Sequence, residues 1–286
     1  MKEKEGGIMS VERIQTQERK QIQKAIRLGN HGEDYGSWMS NPVFYMAGGA
    51  AVFAALLAVL SFAVLSITAI GILFVVIIVG LLAIIGWLAW IRRQYDFNGG
   101  RIMERVHQTI LSHMEYDGKG ILLDVGCGSG ALSIRAALTW PETTVVGIDY
   151  WAAVYNYSQP LCERNAASEG VGDRCTFRYG DANKLDFPDG YFDAVVSNYV
   201  YHNITGADRQ DLLMETLRVL KKGGTFALND EMKPRMYGDM EAFAQKLRDM
   251  GYEDVHLIDT AEEAFGSHRR AAMMLLGESR MLVGRK

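Results

Sequence analysis

The strongest constraint on this chain is a long run without charge. No charged residue occurs between Asn41 and Ile91, and most side chains in that run are apolar. About 20 apolar residues span a bilayer once, so the run is long enough for two spans, with a break near residues 66–68. Buried core helices of soluble proteins are far shorter. We therefore predict a two-span transmembrane hairpin over residues 41–93, in contact with the lipid bilayer.

Basic residues flank both ends of this hairpin, and its middle has none. They are Arg13, Arg19, Lys20, Lys24 and Arg27 before it, and Arg92 and Arg93 after it. Basic residues favour the cytoplasmic side, so we expect both termini and the globular domain in the cytoplasm. Small residues in the run permit close helix packing, either within the hairpin or against a second copy, so a homo-oligomer stays open.

The rest of the chain divides into two parts. Residues 1–40 are charged and Gln-rich, and Ile14, Ile22 and Ile26 recur at roughly helical spacing, which predicts a helical N-terminal segment. Residues 94–286 have the composition and size of one globular domain. A net charge of −4 provides no broad basic surface, so we expect no nucleic-acid partner. The three cysteines lack metal-ligand spacing, and no metal site is predicted.

Strands alternate with helices through the globular domain. This order predicts an α/β fold with a mostly parallel, Rossmann-like sheet and helices on both faces. Pro160 falls inside one helical stretch, where it would interrupt or kink the helix. Ligands of such sheets bind beyond the carboxyl ends of the strands.

A glycine-rich turn, LLDVGCGSGALSI, lies at one such end. Gly126, Gly128 and Gly130 follow an apolar strand and precede a helical pattern, so the turn can hold a ligand against bare backbone. The P-loop pattern is absent. The GxGxxA spacing and Asp149 about 20 residues later match dinucleotide-binding enzymes, which keeps an NAD(P)-dependent oxidoreductase as an alternative. Asp124, directly before the glycines, is unfavourable beside a pyrophosphate and favours a cationic ligand.

Several motifs in order now resemble a known family. LLDVGCGSG, VVGIDYW, YGDANKLDF, and FDAVVSNYVYHN with LKKGGTFALND, together spanning more than 100 residues, are similar to the motifs of class I S-adenosylmethionine-dependent methyltransferases of the small-molecule type. The resemblance implies a seven-stranded sheet with a final antiparallel hairpin, and S-adenosyl-L-methionine as cofactor.

The resemblance also implies the residues that bind this cofactor. They are Asp124, Gly126, Cys127, Gly128, Gly130, Asp149, Tyr150, Asp181, Ala182 and Asn198. Asp124 would hold the amino group, Asp149 both ribose hydroxyls and Asp181 the adenine amine. Asp181 has an alternative interpretation as an Asx-turn or helix cap.

Methyl transfer from a sulfonium is an in-line displacement, and a base is needed only for an acceptor that must lose a proton. His202 is the preferred base, with Tyr199 and Tyr201 as further catalytic candidates; a structural histidine is the alternative. Asp230 and Glu231 end the fifth strand. Asn198 is not followed by the Pro-Pro-aromatic signature of enzymes that methylate amino groups of DNA bases or glutamine.

The expected substrate is a small acceptor, and the hairpin favours one that is lipidic or membrane-soluble. A competing hypothesis is that the hairpin only localises or oligomerises the enzyme. A membrane-tethered protein that binds the cofactor without turnover is the remaining alternative.

Overall fold

A computed structural model describes residues 17, 21–36, 39, 41–152 and 157–286 of the chain. The described residues fall into two compact units. The hairpin unit covers residues 36–101. The α/β unit combines the N-terminal residues up to 35 with residues 102–152 and 157–286. Ile14 and residues 153–156, on which parts of two predicted helices depend, lie outside the described residues.

The hairpin unit consists of two long helices. Helix α1 (Asn41–Val59) continues into a π-helical turn (Leu60–Val64), and α2 covers Thr68–Tyr95. The break between them falls where the sequence placed it, at Ser66, whose φ is +53°. By length and composition, residues 41–64 and 68–95 are each able to cross a membrane, and few of their residues are buried within the protein.

Small residues form the buried face of α1. Ala51, Ala54 and Ala58 are buried there. Gly71 of α2 is required by its packing, because a Cβ at this position would lie 2.5 Å from the ring of Phe62. The other glycines of the run have open space where a Cβ would be: Gly48, Gly49, Gly80 and Gly86.

A seven-stranded sheet forms the centre of the α/β unit. The strands are β1 (Gly120–Val125), β2 (Thr143–Asp149), β3 (Cys175–Tyr179), β4 (Phe192–Asn198), β5 (Leu220–Glu231), β6 (Glu253–Ile258) and β7 (Ser279–Arg285). Their order is β3-β2-β1-β4-β5-β7-β6. The pairs among β1 to β5 are parallel, and β7 runs antiparallel to both of its neighbours. The predicted antiparallel hairpin is confirmed.

The helices of this unit are α3 (Ile102–Ser112), α4 (Ala131–Thr139), α5 (Gln159–Ser168), α6 (Arg209–Arg218), α7 (Pro234–Tyr237), α8 (Met240–Asp249), α9 (Thr260–Phe265) and α10 (His268–Met273). One predicted helix differs from this. Pro160 does not interrupt α5, because the helix begins at Gln159 and proline is well accommodated in a first turn. Helix α6 ends at Arg218, and the Lys-Lys-Gly-Gly stretch that follows belongs to β5.

Both faces of the sheet are covered by helices. Along β1, Leu123 and Val125 join the apolar core that α6 and α8 cover. Strand side chains alternate between faces, so Leu122 and Asp124 point to the opposite side, where Asp124 contacts Ser133 of α4. Since the strands are buried on both faces, the place left for a ligand is beyond their carboxyl ends.

The N-terminal segment, residues 21–35, is part of the α/β unit. Gln23 and Leu28 are buried against it. Among the described residues, 17 and 21–25 are helical and 26–36 are not, and the rest of the predicted N-terminal helical segment lies outside the described residues. The side-chain amide of Asn165 on α5 donates to the Asp34 carbonyl (2.9 Å) and to the Ser129 carbonyl in the glycine turn (3.0 Å). The segment and the turn therefore share one side chain.

Candidate cofactor and methyl-transfer site

The glycine turn follows β1 and leads into α4. Gly126, Gly128 and Gly130 all have positive φ, at +73°, +56° and +83°. This conformation suits residues without a Cβ. A Cβ on Gly126 would lie 2.1 Å from Val200, whereas one on Gly128 would meet nothing closer than 3.5 Å. Packing therefore explains the first glycine. At the second, a Cβ would lie at ordinary van der Waals distance from the Tyr157 ring, so its positive φ is the main reason for glycine.

Asp149, at the end of β2, contacts this turn directly. Its Oδ2 accepts a hydrogen bond from the Gly128 amide (2.8 Å), and its Oδ1 accepts one from the Trp151 amide (2.6 Å). Burial raises the pKa of the Asp149 carboxyl, and the two backbone amides oppose that shift. Each carboxylate oxygen has a second lone pair, so Asp149 can still accept hydrogen bonds from two hydroxyls.

Asp124 lies at the end of β1 and is only 1% exposed. Its Oδ2 accepts a hydrogen bond from the Ser133 hydroxyl at 2.6 Å. Burial raises the pKa of Asp124 to about 7; the Ser133 hydrogen bond lowers it, and the charge of nearby Asp149 raises it. A cation placed beside this carboxyl would stabilise its charged form, so the residue suits an ammonium group.

The remaining predicted cofactor residues surround these two acids. Cys127 is buried in the turn, where burial raises its thiol pKa. Asp181 is exposed after β3, and its Oδ1 accepts bonds from the amide and side chain of Asn183, as in the Asx-turn alternative. Ala182 beside it is half-buried. Tyr150 is exposed, and its ring centroid lies 5.2 Å from that of Tyr179, which leaves an aromatic pair beyond the ends of β2 and β3.

Asn198, at the end of β4, belongs to a side-chain network. Its Oδ1 accepts a hydrogen bond from Asn229 of β5 (2.8 Å), and its Nδ2 lies 3.2 Å from Nε2 of His107 on α3. Burial, followed by the charge of Arg135, lowers the pKa of His107 to about 3, so its ring is neutral. Its Nε2 can then accept the Asn198 amide hydrogen. The network fixes the orientation of Asn198 at the strand end.

His202 and Asp230 form a second polar pair, at the ends of β4 and β5. Nδ1 of His202 is hydrogen-bonded to Oδ1 of Asp230. The Asp230 carboxylate is fully buried and also accepts bonds from the amides of Tyr201 (2.8 Å), His202 (3.3 Å) and Glu231 (2.7 Å). The His202 side chain is 26% exposed. The acid therefore holds Nδ1 and leaves Nε2 as the atom that can exchange a proton.

The two tyrosine candidates occupy different surroundings from His202. Tyr201 is fully buried, and its hydroxyl is 2.8 Å from the Thr216 hydroxyl on α6. A hydroxyl enclosed in the core is poorly placed to reach a substrate, so the burial of Tyr201 favours a structural role over the predicted catalytic one. The Tyr199 hydroxyl lies 2.7 Å from the Ser279 hydroxyl of β7, and burial raises its pKa. Tyr199 is half-buried and is held at the edge of the site.

Sequence reasoning missed several residues of this region. His107 and Asn229 orient Asn198, Asn165 holds the glycine turn, and Tyr179 completes the aromatic pair. Asn229 was detectable, because a polar residue near the carboxyl end of a buried strand points to a site. His107 was not, because nothing in its helix distinguishes it from an ordinary polar position.

A match to a known protein family favours one of the predicted functions for this site. Residues 123–228 match the family model described as a methyltransferase domain. This range contains the glycine turn, Asp124, Asp149 and the carboxyl ends of β1 to β4. Residues 123–228 therefore carry a methyltransferase domain, and this match supports the predicted class I S-adenosylmethionine-dependent family. The predicted family and fold are confirmed, and so is S-adenosylmethionine as the cofactor of that family.

Curated relatives are similar to about half of this chain. The 27-O-demethylrifamycin SV methyltransferase of Amycolatopsis mediterranei is 34% identical over 154 residues, which are 53% of this chain and 52% of the relative. A demethylmenaquinone methyltransferase of Symbiobacterium thermophilum is 31% identical over 132 residues, or 46% and 50%. The chain thus spans about half the length of these relatives.

Solved structures support the fold of the methyltransferase unit. The geranyl diphosphate C-methyltransferase from Streptomyces coelicolor superposes with a TM-score of 0.51 at 15% identity, covering 65% of this chain and 80% of that one. The cyclase SpnF gives a TM-score of 0.50 at 21% identity, covering 64% and 80%. The antiparallel β7 between β5 and β6 also differs from the parallel 3-2-1-4-5-6 order of dinucleotide-binding folds. This order disfavours the oxidoreductase alternative.

Proposed function

We propose that the protein is a membrane-anchored enzyme that transfers a methyl group from S-adenosylmethionine to a small acceptor. The observation that carries this proposal is the hydrogen bond between the glycine turn and Asp149, with the second acid, Asp124, directly before the turn. Bare backbone at Gly128 meets the Asp149 carboxylate at 2.8 Å, and the buried Asp124 lies at the end of the neighbouring strand. Acids that flank a glycine turn suit a ligand with an ammonium and two hydroxyls better than a pyrophosphate.

Each cofactor residue then has a defined task. Asp124 would hold the amino group, and Asp149 the ribose hydroxyls. Asp181 would accept from the adenine amine with the lone pairs that its Asx-turn leaves unused. Tyr150 and Tyr179 offer aromatic surface to the base. When bound, the cofactor supplies an electrophilic methyl group, and the protein's main contribution is to align an acceptor with it.

His202 is proposed as the general base for an acceptor that carries a proton. The hydrogen bond from Nδ1 to Asp230 fixes the ring and stabilises the imidazolium that forms when Nε2 takes a proton. Among the described residues, Nε2 has no hydrogen-bond partner, and part of the side chain is exposed. These features distinguish it from a histidine whose two nitrogens are both used structurally.

The hairpin supports the membrane part of the proposal. Its two helices are long enough to span, with mean hydropathies of 2.3 and 3.1. Most of their large apolar side chains are exposed, and such an area is stable in lipid rather than in water. A membrane enzyme meets lipid-soluble molecules at high local concentration, so we propose a lipidic or amphipathic acceptor and a cytoplasmic catalytic domain.

The test uses the full chain in lipid nanodiscs with radiolabelled S-adenosylmethionine. Label should enter the organic phase of a membrane extract rather than small molecules of the aqueous phase. His202→Ala should lower kcat by about 10²–10⁴, while S-adenosylhomocysteine binds within twofold of wild type. His113→Ala is the matched control, because it removes another histidine–carboxylate pair, with Glu263 at 2.8 Å.

Three results would contradict separate parts of this proposal. Unchanged turnover in His202→Ala would exclude the base, and label confined to aqueous products would exclude the lipidic acceptor. Binding of S-adenosylhomocysteine without transfer in any extract would favour the second candidate function, a membrane-tethered cofactor-binding protein. The likeness to the cyclase SpnF supports keeping that candidate, because the same fold occurs in a protein not named as a methyltransferase.

A further inference from the structure

A cluster of three side chains lies where the N-terminal segment meets α5, and neither the family nor the proposed reaction uses it. His31 and Glu33 come from the segment, and Glu169 directly follows α5. One ligand atom of each residue lies within 4.8 Å of the others. The cluster leaves little trace in the sequence, because the His-x-Glu pair is short and Glu169 is more than 130 residues away from it.

The two carboxylates are buried beside each other. The side chain of Glu33 is 0% exposed and that of Glu169 is 4% exposed. Glu169 uses Oε1 to accept hydrogen bonds from the Gly29 amide (3.2 Å) and the Tyr35 hydroxyl (3.1 Å). Two neighbouring buried carboxylates repel each other unless a cation lies between them.

One oxygen in the cluster lacks a hydrogen bond. Oε1 of Glu33 is buried and has no hydrogen-bond partner within the described part of the chain. It points into the cluster, 3.5 Å from Nδ1 of His31. A buried charged oxygen without a donor is costly, so its direction indicates a ligand that the three side chains would share.

The spacing of the atoms fits a metal ion. Nδ1 of His31 lies 3.5 Å from Oε1 of Glu33 and 3.3 Å from Oε2 of Glu169. Nitrogen and oxygen ligands bind Zn²⁺ at about 2.0–2.2 Å, which places neighbouring tetrahedral ligands about 3.3–3.6 Å apart. An imidazole ligand favours a transition metal over Mg²⁺ or Ca²⁺.

We propose that His31, Glu33 and Glu169 bind a divalent transition-metal ion, with Zn²⁺ as the best match, and that the ion fastens the N-terminal segment to α5. Glu169 contributes the ligand from the domain, and the other two ligands come from the segment. The Tyr35 hydroxyl and the Gly29 amide orient Glu169 through its other oxygen. Water completes the coordination on the exposed side of His31.

The test is zinc titration of the full chain in detergent, after removal of metals with a chelator and dialysis. Wild type should bind one Zn²⁺ per chain, and millimolar Mg²⁺ should not displace it. His31→Ala should weaken zinc binding at least about tenfold. This side chain is 63% exposed, so its loss leaves the fold intact. The matched control is His268→Ala, which removes another exposed histidine beside a carboxylate, Asp259 at 2.8 Å, and should bind zinc as wild type does.

A second readout reports on the segment itself. Arg27 is exposed, and trypsin should cleave after it more slowly when zinc is bound. That protection should disappear in His31→Ala and in Glu33→Gln, and persist in His268→Ala. Absence of zinc binding in wild type, equal binding in His31→Ala, or displacement by Mg²⁺ would each overturn the proposal. Methyl-transfer activity enters none of these measurements.

Discussion

Replacing Asp124 with asparagine should separate stability from cofactor binding. The buried carboxyl has its pKa raised from 3.8 to about 7, so the folded protein binds this proton more tightly than the unfolded chain does. Ionisation of Asp124 therefore does not lower the free energy of unfolding well below pH 4. It lowers that free energy progressively as pH rises, and the full loss is reached above pH 7. About three pKa units correspond to about 4 kcal/mol at pH 8, and the cost grows by about 3 kcal/mol between pH 5 and pH 8.

The assay is urea unfolding of the unliganded protein at pH 5 and pH 8. Asp124→Asn keeps an acceptor for the Ser133 hydroxyl and removes the charge. The variant should be more stable than wild type at pH 8, with most of that gain lost at pH 5. Asp173→Asn, at an exposed position, is the control and should change neither value. Equal pH dependence in wild type and Asp124→Asn would refute the reasoning.

The affinity for the cofactor should rise with pH, whereas the stability of wild type falls. Only the ionised Asp124 attracts an ammonium, and a group with a pKa of about 7 goes from about 3% ionised at pH 5.5 to about 90% at pH 8. Affinity for S-adenosylhomocysteine should therefore rise about 30-fold over this range in wild type, as measured by calorimetry. In Asp124→Asn the affinity should be low at both pH values. An affinity in the variant equal to that of wild type at pH 8 would remove Asp124 from the site.

Two further substitutions test the structure around this site. Gly126→Ala combines a positive φ with a Cβ 2.1 Å from Val200, whereas Gly190→Ala has φ +61° and no Cβ contact under 3.8 Å. In urea unfolding, each substitution should lower the free energy of unfolding by about 1 kcal/mol because of backbone strain. Gly126→Ala should lower it further because of the clash with Val200, and Val200→Ala should reduce that additional loss. Tyr201→Phe should cost about 1 kcal/mol of stability and leave kcat within twofold of wild type, because its hydroxyl is bonded in the core; a large fall in kcat would restore it as a catalytic residue.

Local signals predicted most of the fold. The glycine turn, the alternation of strands and helices and the break near Ser66 are all recorded in neighbouring residues, and the structure has each of them in place. An error arose where a local signal has two meanings. Proline breaks a helix when it lies in the middle but is favourable in the first turn. The start of the helix at Gln159 places Pro160 in the first turn, and the sequence alone did not indicate that start.

The site was predictable only in part, for a similar reason. Acids at strand ends are visible because the strand precedes them in sequence, so Asp124 and Asp149 were found. The tasks of Tyr201 and His202 could not be separated, because adjacent residues after a strand point in different directions. Tyr201 is hydrogen-bonded to a hydroxyl on α6, and His202 is hydrogen-bonded to an acid on β5. Such pairings depend on tertiary contacts that a single sequence does not record.

Asn165 makes the glycine turn and the N-terminal segment thermodynamically linked. Its single amide nitrogen donates to a carbonyl of each, so both of its hydrogens are committed. If release of the segment freed that nitrogen, the turn would lose a support at the position where the cofactor is expected. The coupling is reciprocal. If docking of the segment strengthens cofactor binding by a given free energy, then bound cofactor strengthens docking of the segment by the same amount. The residues that lead into the hairpin would then respond to the supply of methyl donor.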